Sequence, residues 1–148
     1  MKAKNNNDAV SIFDLDGCLS KENCSFLFAK FLYRNKHTSL IKILLCYFFS
    51  FLFKFGFLTI PSIHQYVFKL LIQDKTPAFL SLKAEEFVEK EINSFLYPPA
   101  YQALLKALKE EQHVGIYSSS PEFLVKAVAQ KLKVCDYVAT SYQVDDKG

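Results

Sequence analysis

The sequence predicts an α/β fold: a Rossmann-like core with a parallel sheet, interrupted after its first strand by a long helical insertion. Three observations carry this. Short apolar runs at residues 9–13, 114–117 and 137–140 have strand length and β-branched or aromatic content. Segments of helical period separate the second run from the first and from the third. The resulting order, strand, helices, strand, helix, strand, implies parallel pairing with right-handed crossovers. A chain of 148 residues suffices for one ordinary domain, or for a small core with an insertion. The expected boundaries are 1–19 and 99–148 for the core and 20–98 for the insertion.

Each element has its own signal. The run AVSIF (residues 9–13) is apolar at alternate and intervening positions, which reads as a central strand buried on both faces. Asp14, Asp16 and Gly17 follow and mark a strand end and a tight turn. Residues 22–96 read as helical. Pro98 and Pro99 set a boundary, after which Tyr101, Leu104, Leu105 and Leu108 form one apolar stripe. VGIY (residues 114–117) reads as a second buried strand. Ser120 then reads as a helix N-cap, with Pro121 at the first helical position and Glu122 at the positive helix end. Phe123, Leu124, Ala127, Val128 and Leu132 form the buried face of that helix. Residues 137–140 are a third strand, and residues 141–148 a strand running into a turn.

Composition narrows the function classes. A net charge of +3 gives no reason to expect a nucleic-acid partner. The charge is unevenly spread, however. Residues 26–75 hold seven basic side chains against one acidic, Asp74, whereas residues 81–111 hold six glutamates and four lysines. Cys18, Cys24, Cys46 and Cys135 form no C-x-x-C pair and read as reduced, structural thiols of a cytoplasmic chain. The three histidines stand apart, which argues against a zinc site. The N-terminus lacks the apolar core of a signal peptide, and there are no internal repeats.

Ligands of open α/β sheets bind at the carboxyl ends of the strands. Asp14 ends the first strand and Ser118 the second, so adjacent strands would bring them together. A strand-tip carboxylate can act as a nucleophile on phosphorus when a metal ion screens its charge. A second carboxylate two residues on lies on the same side of the extended chain and can move protons to a leaving oxygen or from water. A serine at the neighbouring tip can donate to a phosphoryl oxygen, and the following helix N-terminus favours an anion.

At these residues the sequence resembles the haloacid dehalogenase superfamily. DLDGCL (residues 14–19) is similar to its first motif, Asp-x-Asp-x-Thr/Val, and VGIYSSSP (residues 114–121) to its second, a hydrophobic strand ending in Ser or Thr. The stretch from residue 118 to 148 most resembles the phosphoserine-phosphatase-like subfamily IB. The resemblance implies Asp14 as nucleophile through an aspartyl-phosphate and Asp16 as general acid/base. It implies a Mg²⁺ cofactor held at Asp14 and Asp16, the latter through its backbone carbonyl. It also implies Ser118 as phosphoryl-oxygen ligand, with Gly17 and Ser119 in the phosphate-binding set. Cys18 departs from the usual Thr. The family's third-motif lysine and fourth-motif carboxylates have no match, so these residues alone are expected to be weak or inactive as a phosphatase. Asp145 and Asp146 read as a solvated turn, and Lys126, Lys131 and Lys133 as solvent-facing.

The insertion has the place of the family's C1 cap. Its segment 39–60 is apolar on every side of a helix, which suits deep burial or lipid. Lys42 and Lys54 bracket only eleven uncharged residues, short of the ~20 needed to span a bilayer. The expectation is a membrane-associated helical cap, with an anionic membrane surface as partner and a place at or partly in the inner membrane; the competing reading is a soluble, aromatic-rich cap. The layout is similar to phosphatidylglycerophosphate phosphatases of the haloacid dehalogenase type, which implies a phosphorylated substrate, either a lipid phosphate or a small metabolite. A catalytically inactive remnant that binds membrane or a partner through its cap is the alternative.

Overall fold

The computed structural model describes residues 9–143. In chain order the elements are β1 (Val10–Asp14), α1 (Cys24–Arg34), α2 (Leu40–Lys54), α3 (Ile60–Leu71), α4 (Pro77–Phe95), α5 (Pro98–Lys109), β2 (His113–Pro121), α6 (Glu122–Lys131) and β3 (Asp136–Thr140). The strands form one parallel sheet in the order β1-β2-β3. Because the order advances in one direction, right-handed crossovers put α5 and α6 on the same face. Val114 and Ile116 of that face are buried with Leu104 of α5 and Leu124 and Val128 of α6.

Among the described residues nothing covers the other face. Val10, Ile12, Tyr117 and Val138 are all exposed there, and β1 pairs with β2 alone among the described residues. The sequence reading put a central strand here, buried on both sides; among the described residues β1 lies at the sheet edge with one covered face. The apolar alternation records which residues tolerate burial, while the position of the crossovers decides which face receives it. The stripe on α5 needs a smaller correction, since Leu105 is exposed while Leu104 and Ala107 are buried.

The helical stretch divides into four helices, each opened by a polar cap. Asn23, Ser39, Thr59 and Thr76 accept hydrogen bonds from the backbone N–H groups of Phe26, Lys42, Ser62 and Phe79. The apolar 39–60 segment is therefore not one helix. It breaks after α2 in a left-handed turn at Gly56, where φ is +79°. There the Phe57 N–H donates to the Leu52 carbonyl and the Gly56 N–H to that of Phe53, each at 2.9 Å. Among the described residues no helix is long and apolar enough to cross a membrane.

The insertion is tied to the core at a narrow neck. The Lys21 N–H donates to the Phe95 carbonyl at 2.9 Å, and the Tyr97 N–H to the Leu19 carbonyl at 2.8 Å. Beyond the neck, α1 and α4 share the interior of the core through Phe28, Phe31, Phe87, Phe95 and Phe123, whose neighbouring rings lie 5.3–6.4 Å apart. Glu89 of α4 also pairs with Lys131 of α6 at 2.6 Å. The hairpin of α2 and α3 lies outside this cluster, with Phe49 stacked on Tyr66 at 4.3 Å. All four thiols are free, and Cys24 and Cys46 are buried as expected. Cys135 is exposed, which corrects its reading as a structural thiol.

Candidate active site

The site is made by two strand tips and the first turn of α1. Between Tyr117 and Pro121, β2 advances four residues while its partner β3 advances two, from Val138 to Thr140. The serines of residues 118–120 therefore bulge from the ladder. Thr140 Oγ1 donates to the Ser119 carbonyl at 2.8 Å and ties the bulge to β3. Within the bulge Ser118 and Ser120 turn their hydroxyls the same way, toward the β1 tip.

Both inward serines reach Asp16. Ser118 Oγ donates to Asp16 Oδ2 at 2.9 Å and Ser120 Oγ to the same oxygen at 2.7 Å. The Cys24 N–H, at the first residue of α1, donates to Asp16 Oδ1 at 2.6 Å. A carboxylate at a helix N-terminus is favoured by the exposed amide dipoles. Ser118 Oγ also accepts from the Ser120 N–H at 3.0 Å. Ser25 Oγ lies 2.9 Å from Ser120 Oγ. A hydroxyl has one proton, and that of Ser120 is directed at Asp16, so Ser25 is the donor in this pair. A chain of donors thus runs from Ser25 through Ser120 to Asp16.

These bonds correct the reading of Ser120 as a helix cap. The residue preceding α6 is Pro121, in extended conformation, and no side chain caps the helix. Ser120 is 2 % exposed and its hydroxyl serves Asp16 instead. A Ser-Pro pair before a helix looks the same in sequence whether the serine turns toward the helix or toward the sheet. The bulge makes that choice here. Ser120, Ser25 and the Cys24 amide were all missed by sequence reasoning. The one available signal was the serine triplet, whose outer members must share a side if the strand continues.

Asp14 differs from Asp16. It ends β1 in register with Tyr117, one residue before Ser118, so the two expected strand tips are adjacent. Asp14 is exposed, and no described residue donates to its carboxylate. Gly17 has φ +79°, and a Cβ there would meet nothing within 4 Å. Glycine suits this position through its left-handed backbone conformation. Ser119 is exposed, and its hydroxyl is not among the donors to Asp16. The Cys24 thiol is pushed up to about 12, chiefly by burial, with Ser20 opposing and Asp16 adding to the shift. It therefore stays protonated and is no nucleophile.

A cavity of about 380 Å³ separates these tips from the outer hairpin. Asn23, Ser25, Ser119 and Ser120 form its polar end, and Phe53, Ile63 and Val67 its apolar wall, with His64 beside them. For a divalent cation, the Asp14 carboxylate and the Asp16 carbonyl offer two oxygen ligands of the hard type Mg²⁺ takes. That carbonyl accepts no backbone hydrogen bond among the described residues. The Asp16 carboxylate is already engaged by three donors. No group of three or more His, Cys, Asp or Glu side chains that could hold a metal ion occurs among the described residues. Asp145, Asp146 and the turn expected there lie outside them. Lys126 and Lys133 are exposed, and Lys131, also exposed, pairs with Glu89.

Comparison with known proteins agrees with this geometry. The profile of the haloacid dehalogenase-like hydrolases matches residues 12–147. No curated protein matches the chain. Among solved structures, a protein of unknown function from Bordetella pertussis Tohama I superposes with a TM-score of 0.78 at 19 % identity, over 94 % of this chain and 63 % of that one. A phosphoserine phosphohydrolase-like protein from Francisella tularensis gives 0.66 at 17 %, over 95 % and 62 %. A phosphoserine phosphatase, solved as an analogue of its phospho-aspartyl intermediate, gives 0.58 at 16 %, over 94 % and 59 %. At these identities the likeness is one of fold. The chain spans about three-fifths of the length of each of these three.

Proposed function

We propose, from the premise that the chain belongs to the haloacid dehalogenase-like hydrolases, that it serves phosphomonoester hydrolysis through an aspartyl-phosphate on Asp14. The observation that carries this reading is the contrast between the two carboxylates. Asp14 is exposed and free of donors, as a nucleophile must be, while Asp16 is held in place by three.

In the first half-reaction an Asp14 carboxylate oxygen forms a bond to phosphorus as the ester oxygen leaves, and Asp16, entering this step protonated, gives that oxygen its proton and becomes the carboxylate. In the second, Asp16 takes a proton from water, whose oxygen attacks phosphorus. Inorganic phosphate departs and the Asp14 carboxylate is restored. Ser118 now directs its proton to Asp16, so it would turn from that oxygen to donate to the phosphoryl group. Mg²⁺, when bound at Asp14 and the Asp16 carbonyl, would screen the repulsion between the nucleophile and the anionic ester. A phosphorylated lipid and a small phosphorylated metabolite both suit this chemistry.

The test is release of phosphate from p-nitrophenyl phosphate with and without Mg²⁺, comparing the chain with Asp14→Asn. The expected outcome is weak Mg²⁺-dependent release that falls to background in the variant. Equal release by both removes Asp14 as nucleophile, and release by neither removes the chain as a catalyst in its own right.

A further inference from the structure

We propose that the outer face of α2 docks the chain in the plane of an anionic lipid surface, an interaction that goes beyond the hydrolase reading and needs no catalysis. Ile41, Leu44, Phe48, Phe51 and Phe55 recur at spacings of three, four, three and four, so they share one side of the helix. All five are more than half exposed. On the opposite side Ile43 and Cys46 are buried. A helix with one face packed and a second continuous apolar face uncovered marks an interaction surface. At 15 residues α2 is about 22 Å long, short of the ~30 Å of a bilayer's hydrocarbon core. Its length therefore suits lying along the interface and not crossing it.

Charge selects the occupant. The segment from α1 to the end of α3 and its following turn carries seven basic residues and one acidic. That one, Asp74, is already bridged by Lys42 at 3.1 Å and Lys75 at 3.0 Å. Lys36, Lys54 and Lys69 are exposed and pair with no carboxylate among the described residues. Such an excess is attracted by anionic headgroups, whereas a second copy would bring the same positive charge to the same face. The inner side of the hairpin supports the assignment. Phe53 of α2 and Ile63 and Val67 of α3 wall the cavity that opens onto Ser119 and Ser120. A chain lying on this face would hold that cavity next to the lipid surface.

The measurement is cosedimentation of the chain with vesicles of phosphatidylglycerol and phosphatidylcholine, and with vesicles of phosphatidylcholine alone. It compares the wild type with Phe48→Glu/Phe51→Glu, with Val10→Glu on the bare sheet face, and with Asp14→Asn. Wild type is expected to bind the anionic vesicles about tenfold or more tightly than the neutral ones. The double variant is expected to lose about tenfold or more of that affinity. Val10→Glu and Asp14→Asn are expected to bind as wild type, which separates docking from the catalytic reading. If the double variant does not keep its helical circular dichroism, Lys36→Glu/Lys54→Glu/Lys69→Glu supplies the test through loss of the preference for anionic vesicles. No cosedimentation, or an equal loss with Val10→Glu, overturns the proposal. So does self-association that the double variant abolishes without any vesicle binding, which would assign the face to a second copy.

Discussion

Replacing Ser120 by Ala removes one buried oxygen and nothing else, and the structure says what that oxygen does. It donates to Asp16 at 2.7 Å and accepts from Ser25 at 2.9 Å. A hydrogen bond to a charged group contributes about 1.5–3 kcal/mol net. Asp16 keeps the Cys24 amide and Ser118 as donors, so it is never left bare and the upper end of that range is not reached. Ser25 is half-buried and can turn to water, so its share is small. The expected loss is therefore about 2 kcal/mol, roughly a 30-fold shift of the unfolding equilibrium. Urea unfolding should show it as a lower midpoint with an unchanged slope. A cycle with Asp16→Ala then isolates the pair, with an expected interaction energy of about 1–2 kcal/mol. A loss below about 0.5 kcal/mol, or full additivity with Asp16→Ala, would refute the claim that Ser120 holds Asp16.

Three predictions concern the interior. Burial pushes the thiols of Cys24 and Cys46 up to about 12 and about 11. In the native chain at pH 8, maleimide should therefore label the exposed Cys135 first and leave those two until the chain unfolds; prompt labelling of Cys24 would contradict its burial. The sign follows for pH as well. The unfolded Cys24 thiol ionises near the ordinary thiol value of 9.0 and the folded one near 12, so this group removes stability as pH rises through that window. Phe87 is fully buried against Phe28, Phe31 and Phe95 within the insertion, and Phe28 in turn meets Phe123 of the core. Phe87→Ala should cost about 3–5 kcal/mol in chemical denaturation, and a loss under about 1 kcal/mol would show that this aromatic cluster is not closely packed.

Much of this fold is local and could be read along the chain. The three strands, their order, and the placing of Asp14 and Ser118 at adjacent tips follow from short apolar runs that end in turn residues. The breaks inside the helical stretch were also written locally, in Asn23, Ser39, Thr59, Thr76 and Gly56. Reading 39–60 as one apolar helix passed over Gly56, because the hydrophobicity of the flanking phenylalanines dominates the pattern there. The family resemblance of the two motifs was legible for the same reason: each motif is a contiguous segment whose chemistry belongs to its own residues.

The rest needed the chain to be folded. Apolar alternation cannot say which face of β1 is covered, since that depends on both crossovers lying on the same side of the sheet. It cannot say that α2 packs through Ile43 and Cys46 and leaves Phe48 and Phe51 to the outside, because both sides are equally apolar. Nor can a serine before a proline announce that it turns away from its helix. Ser120 reaches Asp16 across 104 positions of sequence because β2 gains two residues on β3, and that mismatch exists only once the strands are paired. Local preference depends on a residue and its near neighbours. The site depends on which distant residues the ladder and the helix packing bring within hydrogen-bond reach of one carboxylate.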